Sequence, residues 1–263
     1  MPRATIDGTT GLALKIDGAV ARITLNRPET RNALSRALLG TLEHVLFDLA
    51  ADHGARVVVL AAEGPIFSSG HDLNELAGIR QPAARDLFEA CTRVMLQLRR
   101  LPQPVIARVQ GPAVAAGCQL VAGCDLAVAA EGATFATPGV RIGLFCSTPM
   151  VPLVRAIPAK PAFEMLFTGE PISAERALAL GLVNAVVPEE ELDDAVARLA
   201  ESFLSYSPQI LRRGKSVFYE GLSLSEPLAY DRATPEMVLR APDPHAQEGI
   251  AAFLEKRRPH WAD

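Results

Sequence analysis

The feature that most constrains the fold is an alternation of two hydrophobic periods. Ala21-Arg22-Ile23-Thr24-Leu25 alternates as a half-buried strand does, and Asn26-Arg27-Pro28 ends it because proline cannot donate to a ladder. Ser35 then stands where a helix needs an N-cap, ahead of Leu38, Leu42, Val45, Leu46 and Leu49 at helical spacing. Val57-Val58-Val59-Leu60 follows as a continuous apolar run, as expected of a parallel strand covered on both faces. The pattern recurs: Leu87, Cys91, Val94, Met95, Leu98 and Leu101 form a second stripe, and Val105-Ile106-Ala107-Arg108-Val109 a second strand. A short helix from about Ala115 to Gly123 leads to a strand over Leu126-Ala127-Val128-Ala129. Such alternation predicts an α/β protein whose parallel-type sheet has right-handed crossovers.

After Pro149 the pattern turns helical. Leu192, Val196, Leu199 and Phe203 make a stripe, only Val183 to Val187 reads as strand, and Pro208 onward reads as successive helices around Pro227, Pro235 and Pro242. The expected division is a core over 1–200 and a C-terminal helical region over 201–263 that covers the sheet or forms a subunit interface.

The 263 residues are 49% hydrophobic, enough for a large core in one α/β domain with an appendage. A net charge of −4, with no dense Lys/Arg block before the last residues, argues against a nucleic-acid partner. The most apolar stretch, Val105 to Ala130, is broken by Arg108, Gln110, Pro112, Gln119 and Asp125, so no membrane partner is expected. The first residues lack both export and transit character. Cys91, Cys118, Cys124 and Cys146 lie in apolar surroundings without paired ligand spacing, which reads as free thiols, no metal and a cytoplasmic location.

Two segments carry chemistry: Phe67-Ser68-Ser69-Gly70-His71-Asp72-Leu73, and Gly111-Pro112-Ala113-Val114-Ala115-Ala116-Gly117-Cys118-Gln119-Leu120. A small-residue turn entering a helix lets substrate approach backbone N–H groups, at the end of the helix that carries partial positive charge. Reactions at the α and β carbons of a thioester place charge on its oxygen, where such donors act. Neither a Gly-Lys-Ser/Thr loop nor G-x-G-x-x-G after a strand occurs, which leaves P-loop and Rossmann mechanics without support.

These segments resemble the two oxyanion-hole segments of the crotonase superfamily, the enoyl-CoA hydratase/isomerase family. The resemblance covers nearly the whole chain through Leu25-Asn26-Arg27-Pro28 with Asn32-Ala33-Leu34, and through Phe253 and Lys256 in Gly249 to Arg257. It implies a crotonase (Clp/crotonase-like) spiral of β-β-α units with a C-terminal helical region for trimerisation and active-site cover. It also implies an acyl-CoA thioester as substrate, coenzyme A arriving as part of that substrate with no separate cofactor, and a homotrimer or homohexamer. By the same resemblance the N–H groups of His71 and Ala116 are the oxyanion donors, and Arg27, Ala33, Ser69, Gly70, Phe253 and Lys256 are substrate-binding. Phe253 and Lys256 would reach coenzyme A from a neighbouring subunit; Lys256 to Arg258 read equally well as a solvated helix end.

The resemblance also exposes two departures. The family's hydratases place one glutamate in Gly-Cys-Glu-Leu and another in Pro-Glu, where this chain has Gln119 and, after Pro138, Gly139. Glutamine keeps the shape of glutamate without a transferable proton, and glycine has no side chain. Ordinary hydration is therefore expected to be weak or replaced. Cys146 and Ser147 are possible pocket residues, since a nucleophilic Asp lies near the place of Ser147 in a dehalogenase branch; without a recognisable base they read as pocket lining. The His71 ring is the best remaining proton carrier or a satisfied core ring. Asp72 with Glu75 reads as a helix cap, and Asp125 as a structural carboxylate. The expected function is stabilisation of a thioester enolate in fatty-acid or related acyl-CoA metabolism, with a noncatalytic acyl-CoA binder as the alternative. A hydrolytic reading with Ser147 or Ser69 as nucleophile requires a histidine and an aspartate within reach.

Overall fold

The structure, a computed structural model, describes residues 6–7 and 11–261. Strands β1 (Ile6–Asp7), β2 (Leu12–Asp17) and β3 (Val20–Leu25) form an antiparallel meander ahead of helix α1 (Arg36–Ala51). Ser35 caps that helix, its side chain accepting from the Leu38 N–H at 3.2 Å, as its place in the sequence predicts. Strand β4 (Val57–Ala62), helices α2 (Leu73–Leu76) and α3 (Gln81–Arg100), and strand β5 (Val105–Val109) complete the first half. Strand β6 (Ala113–Val114) then feeds helix α4 (Ala116–Gly123), followed by β7 (Leu126–Ala130) and β8 (Thr134–Ala136).

The second half contains α5 (Ser147–Ala156), α6 (Ala159–Thr168), β9 (Ile172–Ser173), α7 (Ala174–Leu180) and β10 (Ala185–Val187). Helices α8 (Leu192–Leu204), α9 (Pro208–Gly221), α10 (Glu226–Arg240) and α11 (Pro244–Leu254) follow. Pro235 lies inside α10 and does not separate two helices, contrary to the expectation that it marks a break.

The main sheet has the order β1-β2-β3-β4-β5-β7-β10, parallel from β3 onward. Its central strands are apolar on both faces because both are covered. Val58 and Leu60 of β4 join α1 and α3 in the larger core, through Leu42, Leu46, Leu87 and Val94. Val57 and Val59, with Ile106 and Val128, face Leu192, Val196 and Ala200 of α8. Asp193 of α8 binds Arg22 at 2.8 Å and Arg108 at 2.8 Å, joining that helix to two strands.

A second sheet, β6-β8-β9, was not legible in the sequence, and neither was β2. The strands of the small sheet span two or three residues, too short to express a period.

The expected structural role of Asp125 is borne out. Its carboxylate accepts from Val105 N at 2.6 Å, Lys215 Nζ at 2.6 Å and Tyr219 Oη at 2.7 Å, which pins α9 to the start of β5. Lys215 also donates to the carbonyls of Leu98 and Gln103.

Candidate active site

Backbone geometry builds the site first. Between β6 and α4, Ala115 adopts φ 50°, ψ −112°, a conformation that L-residues disfavour. Neighbouring bonds hold it there: Ala115 N donates to Ala136 O at 2.8 Å, and Val114 N to Ser68 O at 2.8 Å. The turn leaves the N–H of Ala116, the first residue of α4, without an acceptor among the described residues.

The facing segment is set by buried polar groups. Ser68 donates its hydroxyl to Asn32 O at 2.9 Å and accepts from Gly70 N at 3.2 Å. Gly70 has φ 90°, and a Cβ there would lie 3.0 Å from the Ala115 Cβ and 3.2 Å from Ala116 N. Only glycine allows this approach. Gly70 O accepts from Leu34 N at 2.7 Å, while the next N–H, that of His71, has no acceptor among the described residues. Gly117 serves the same closure, since a Cβ there would run into the Ser68 carbonyl. Two unpaired N–H groups, His71 and Ala116, are thus carried on segments in van der Waals contact.

The His71 ring is less available than its sequence position suggests. Nδ1 lies 3.4 Å from Leu34 O, Nε2 is buried without a partner, and the ring stands edge-on to Phe88 at 5.2 Å. Burial lowers its pKa from the ordinary histidine value, partly offset by the Leu34 contact, so the ring is neutral at pH 7. As a proton carrier it is displaced by this packing.

Gln119 sits three residues into α4, its side chain leaning back toward the helix N-terminus as helical side chains do. It is only 3% exposed. Its Oε1 lies 3.9 Å from the Cys91 thiol on α3, whereas Nε2 has no protein partner among the described residues. Burial pushes the Cys91 thiol up to about 12, so it is the donor in that contact.

Gly139 is not an empty position. A Cβ there would clash with the Leu144 carbonyl oxygen and lie 2.8 Å from Cys146 Sγ. Leu144 N donates to Gly139 O at 2.9 Å, and the Gly139 N–H donates to the Cys146 thiol. The returning segment occupies the place from which a side chain at 139 would project. Cys146 is buried, with its thiol pKa raised by burial against the Gly139 hydrogen bond. Ser147 is exposed and its hydroxyl donates to Phe145 O at 3.2 Å; neither a histidine nor an aspartate partners it, which removes the basis of the hydrolytic reading there.

Asp72 caps α2 by accepting from Asn74 N at 2.9 Å. Glu75 does not complete a reciprocal cap: its Oε2 accepts from Arg36 N at 2.9 Å, joining α2 to α1. Arg27 and Ala33 flank Asn32, a buried residue that sequence reasoning left without a role. Its side chain accepts from Arg27 N and donates to Glu63 O and Ile66 O, so it organises the loop beside Ser68. Ser69 N donates to Arg31 O at 3.0 Å in the same loop. Phe253 and Lys256 do not join these segments within one chain: they lie at the end of α11, with Phe253 83% exposed.

The largest open cavity, about 1350 Å³, lies elsewhere, between the C-terminal end of α3 and helices α9 and α10. Arg99, Arg100, Arg212 and Arg213 are among its lining residues. No helix among the described residues is long and apolar enough to cross a membrane.

The profile of the enoyl-CoA hydratase/isomerase family matches residues 15–263. The chain belongs to the enoyl-CoA hydratase/isomerase family. It is 48% identical over 254 residues to the human mitochondrial enoyl-CoA hydratase domain-containing protein 3, covering 95% of this chain and 82% of the relative. The rat (Rattus norvegicus) protein of that name is 48% identical over 244 residues, with 92% and 81% covered. Among solved structures, an enoyl-CoA hydratase of Mycobacterium smegmatis superposes with a TM-score of 0.93 at 48% identity, covering 95% of this chain and 98% of that one. The human domain-containing protein 3 superposes with a TM-score of 0.93 at 46% identity, covering 95% and 100%. The mixed α/β architecture with its helical C-terminal region is thus the crotonase fold of the enoyl-CoA hydratase/isomerase family.

These family members correct the expected cytoplasmic location. Relatives nearly half identical are named mitochondrial, and buried free thiols do not distinguish one reducing compartment from another.

Proposed function

We propose that this chain binds an acyl-CoA thioester and stabilises a thioester enolate between the backbone N–H groups of His71 and Ala116. The observation that carries this reading is the close approach of two segments whose N–H groups at His71 and Ala116 lack acceptors, held by the strained turn at Ala115 and by Gly70. Each preorganised donor of this kind is worth a factor of about 10²–10³ in rate. Family membership favours coenzyme A thioesters, and the relatives' names favour acyl-CoA metabolism such as that of fatty acids. Coenzyme A would come with the substrate, with no separate cofactor.

Arg27, Ala33, Ser69 and Gly70 would line the entry to the donors. The C-terminal helices, over 201–263, would form the trimer or hexamer interface and bring Phe253 and Lys256 to a neighbouring copy. The exposure of Phe253, and of Met237 and Val238 at 71% and 69%, supports that arrangement. A noncatalytic acyl-CoA binder is the second reading, favoured by the amide at 119 and the blocked position at 139.

The test combines calorimetric binding of butyryl-CoA with turnover of an acyl-CoA panel followed by mass spectrometry. Ala116→Pro deletes one donor and should abolish turnover in a variant whose melting temperature is unchanged. Retained turnover would sink the assignment of Ala116. Tight binding without turnover of any thioester would select the noncatalytic reading.

A further inference from the structure

The site accepts charge on a thioester oxygen, yet the groups around it are not arranged to remove a proton from carbon. Asp72 and Glu75 are occupied by backbone N–H groups, and Asp125 is held by Lys215 and Tyr219. The Nε2 of His71 is buried, and position 139 has no room for a side chain. Deprotonation of the α carbon, one route to a thioester enolate, therefore lacks a base.

A second route needs none. When C2 of the acyl group carries a carboxylate, loss of CO₂ leaves the bonding pair on C2, in conjugation with the thioester oxygen. That reaction requires stabilisation of the oxygen and a C2 environment free of negative charge, because an anion there would repel the departing carboxylate. Gln119 meets the second requirement. It is neutral at every pH, 3% exposed, and has Oε1 turned to Cys91 while Nε2 has no protein partner. Its N–H groups are available to a carboxylate oxygen, which a glutamate at the same place would repel.

Resting on the acyl-CoA reading above, we propose that this site decarboxylates a 2-carboxyacyl thioester of the malonyl class. The bond between C2 and the carboxylate carbon breaks, CO₂ leaves, and the electron pair moves onto the thioester oxygen between the His71 and Ala116 N–H groups. C2 then takes a proton from water, leaving hydroxide, so the negative charge of the substrate carboxylate is conserved. Gln119 orients the carboxylate before it departs.

The full-length protein is incubated with malonyl-CoA and methylmalonyl-CoA in D₂O, with release of CO₂ and the mass of the thioester product followed together. The expected result is acetyl-CoA and propionyl-CoA carrying one deuterium at C2. Gln119→Glu should lower this turnover roughly 100-fold by like-charge repulsion. Gln119→Met, neutral and of similar length, should retain more activity than Gln119→Glu at matched melting temperature. Equal losses in the two variants would overturn the electrostatic role of Gln119. Binding of both 2-carboxyacyl thioesters without CO₂ release overturns the decarboxylation while leaving the acyl-CoA reading intact. Failure to bind these thioesters and butyryl-CoA alike removes both.

Discussion

Lys215 of α9 reaches Asp125 with its Nζ 2.6 Å from Oδ2, and both side chains are largely buried, 8% and 15% exposed. The pair fastens the C-terminal helices to the sheet at the start of β5, because Asp125 simultaneously holds the Val105 N–H. Burial alone would push the Lys215 ammonium toward neutrality; the adjacent carboxylate opposes that. Asp125→Ala leaves a buried ammonium uncompensated and should cost about 3–5 kcal/mol. Lys215→Met should cost less, because the Asp125 carboxylate keeps the Val105 and Tyr219 donors. Denaturant unfolding of the two variants checks the order, and a larger loss for Lys215→Met would refute this asymmetry.

Asp193 makes the second clamp, between α8 and the sheet. The Arg108 guanidinium, with a further hydrogen bond from Arg22, holds its carboxyl down to about 2 against the opposing effect of burial. The folded value lies below the unfolded value of about 3.9. The stabilisation is therefore complete above pH 4 and disappears as pH falls from about 4 to 2. The side chain is 56% exposed, so solvent screening reduces the contribution to about 1 kcal/mol. Asp193→Asn should lose that amount at pH 7 and nothing at pH 2, measured by urea unfolding at both; a pH-independent difference would point to packing instead.

What could be read from the chain, and what could not, follows from the range of each interaction. Val57 to Leu60 announced a doubly covered strand because every residue is apolar, and Ser35 announced a cap because the cap bond is local. The small sheet β6-β8-β9 is set by partners up to some sixty residues apart over two- or three-residue strands, with no period to detect. At the site, the absence of carboxylates at 119 and 139 was visible as letters. The contents of the place beside Gly139 were not, because the segment from Leu144 to Cys146 returns over it through a turn. The His71 ring looked available until Phe88 and Leu34, seventeen and thirty-seven positions away, were packed against it. The arginines of the large cavity, Arg99, Arg100, Arg212 and Arg213, are two separate dipeptides in the chain, and folding brings them to one basin.

The packing at Gly139 makes a direct statement about engineering. Restoring both acids with Gln119→Glu and Gly139→Glu should not create a hydratase, since any Cβ at 139 collides with the Leu144 carbonyl. Gly139→Ala alone should destabilise the protein by about 1–3 kcal/mol, the range for overpacking a closed site. Thermal denaturation of Gly139→Ala and a crotonyl-CoA hydration assay of the double variant test both halves. A stable, active double variant would show that the segment from Leu144 to Cys146 yields.

The four cysteines offer a further test of how tightly the core and the site are closed. All four are free and buried, and burial pushes the thiols of Cys91 and Cys118 up to about 12. The Cys124 thiol is raised further in the same direction, and that of Cys146 is raised despite the hydrogen bond from Gly139. Thiolate is the reactive form, so at pH 7.5 the native protein should react with a disulfide reagent far more slowly than a free thiol of pKa about 8.5. Unfolding in guanidinium should expose all four to rapid reaction. Native-state labelling followed by peptide mapping separates the sites: Cys146, which borders the proposed site, should be the first modified and should be protected by saturating butyryl-CoA. Rapid labelling of Cys118 or Cys124 in the native state would contradict the burial on which the larger core depends.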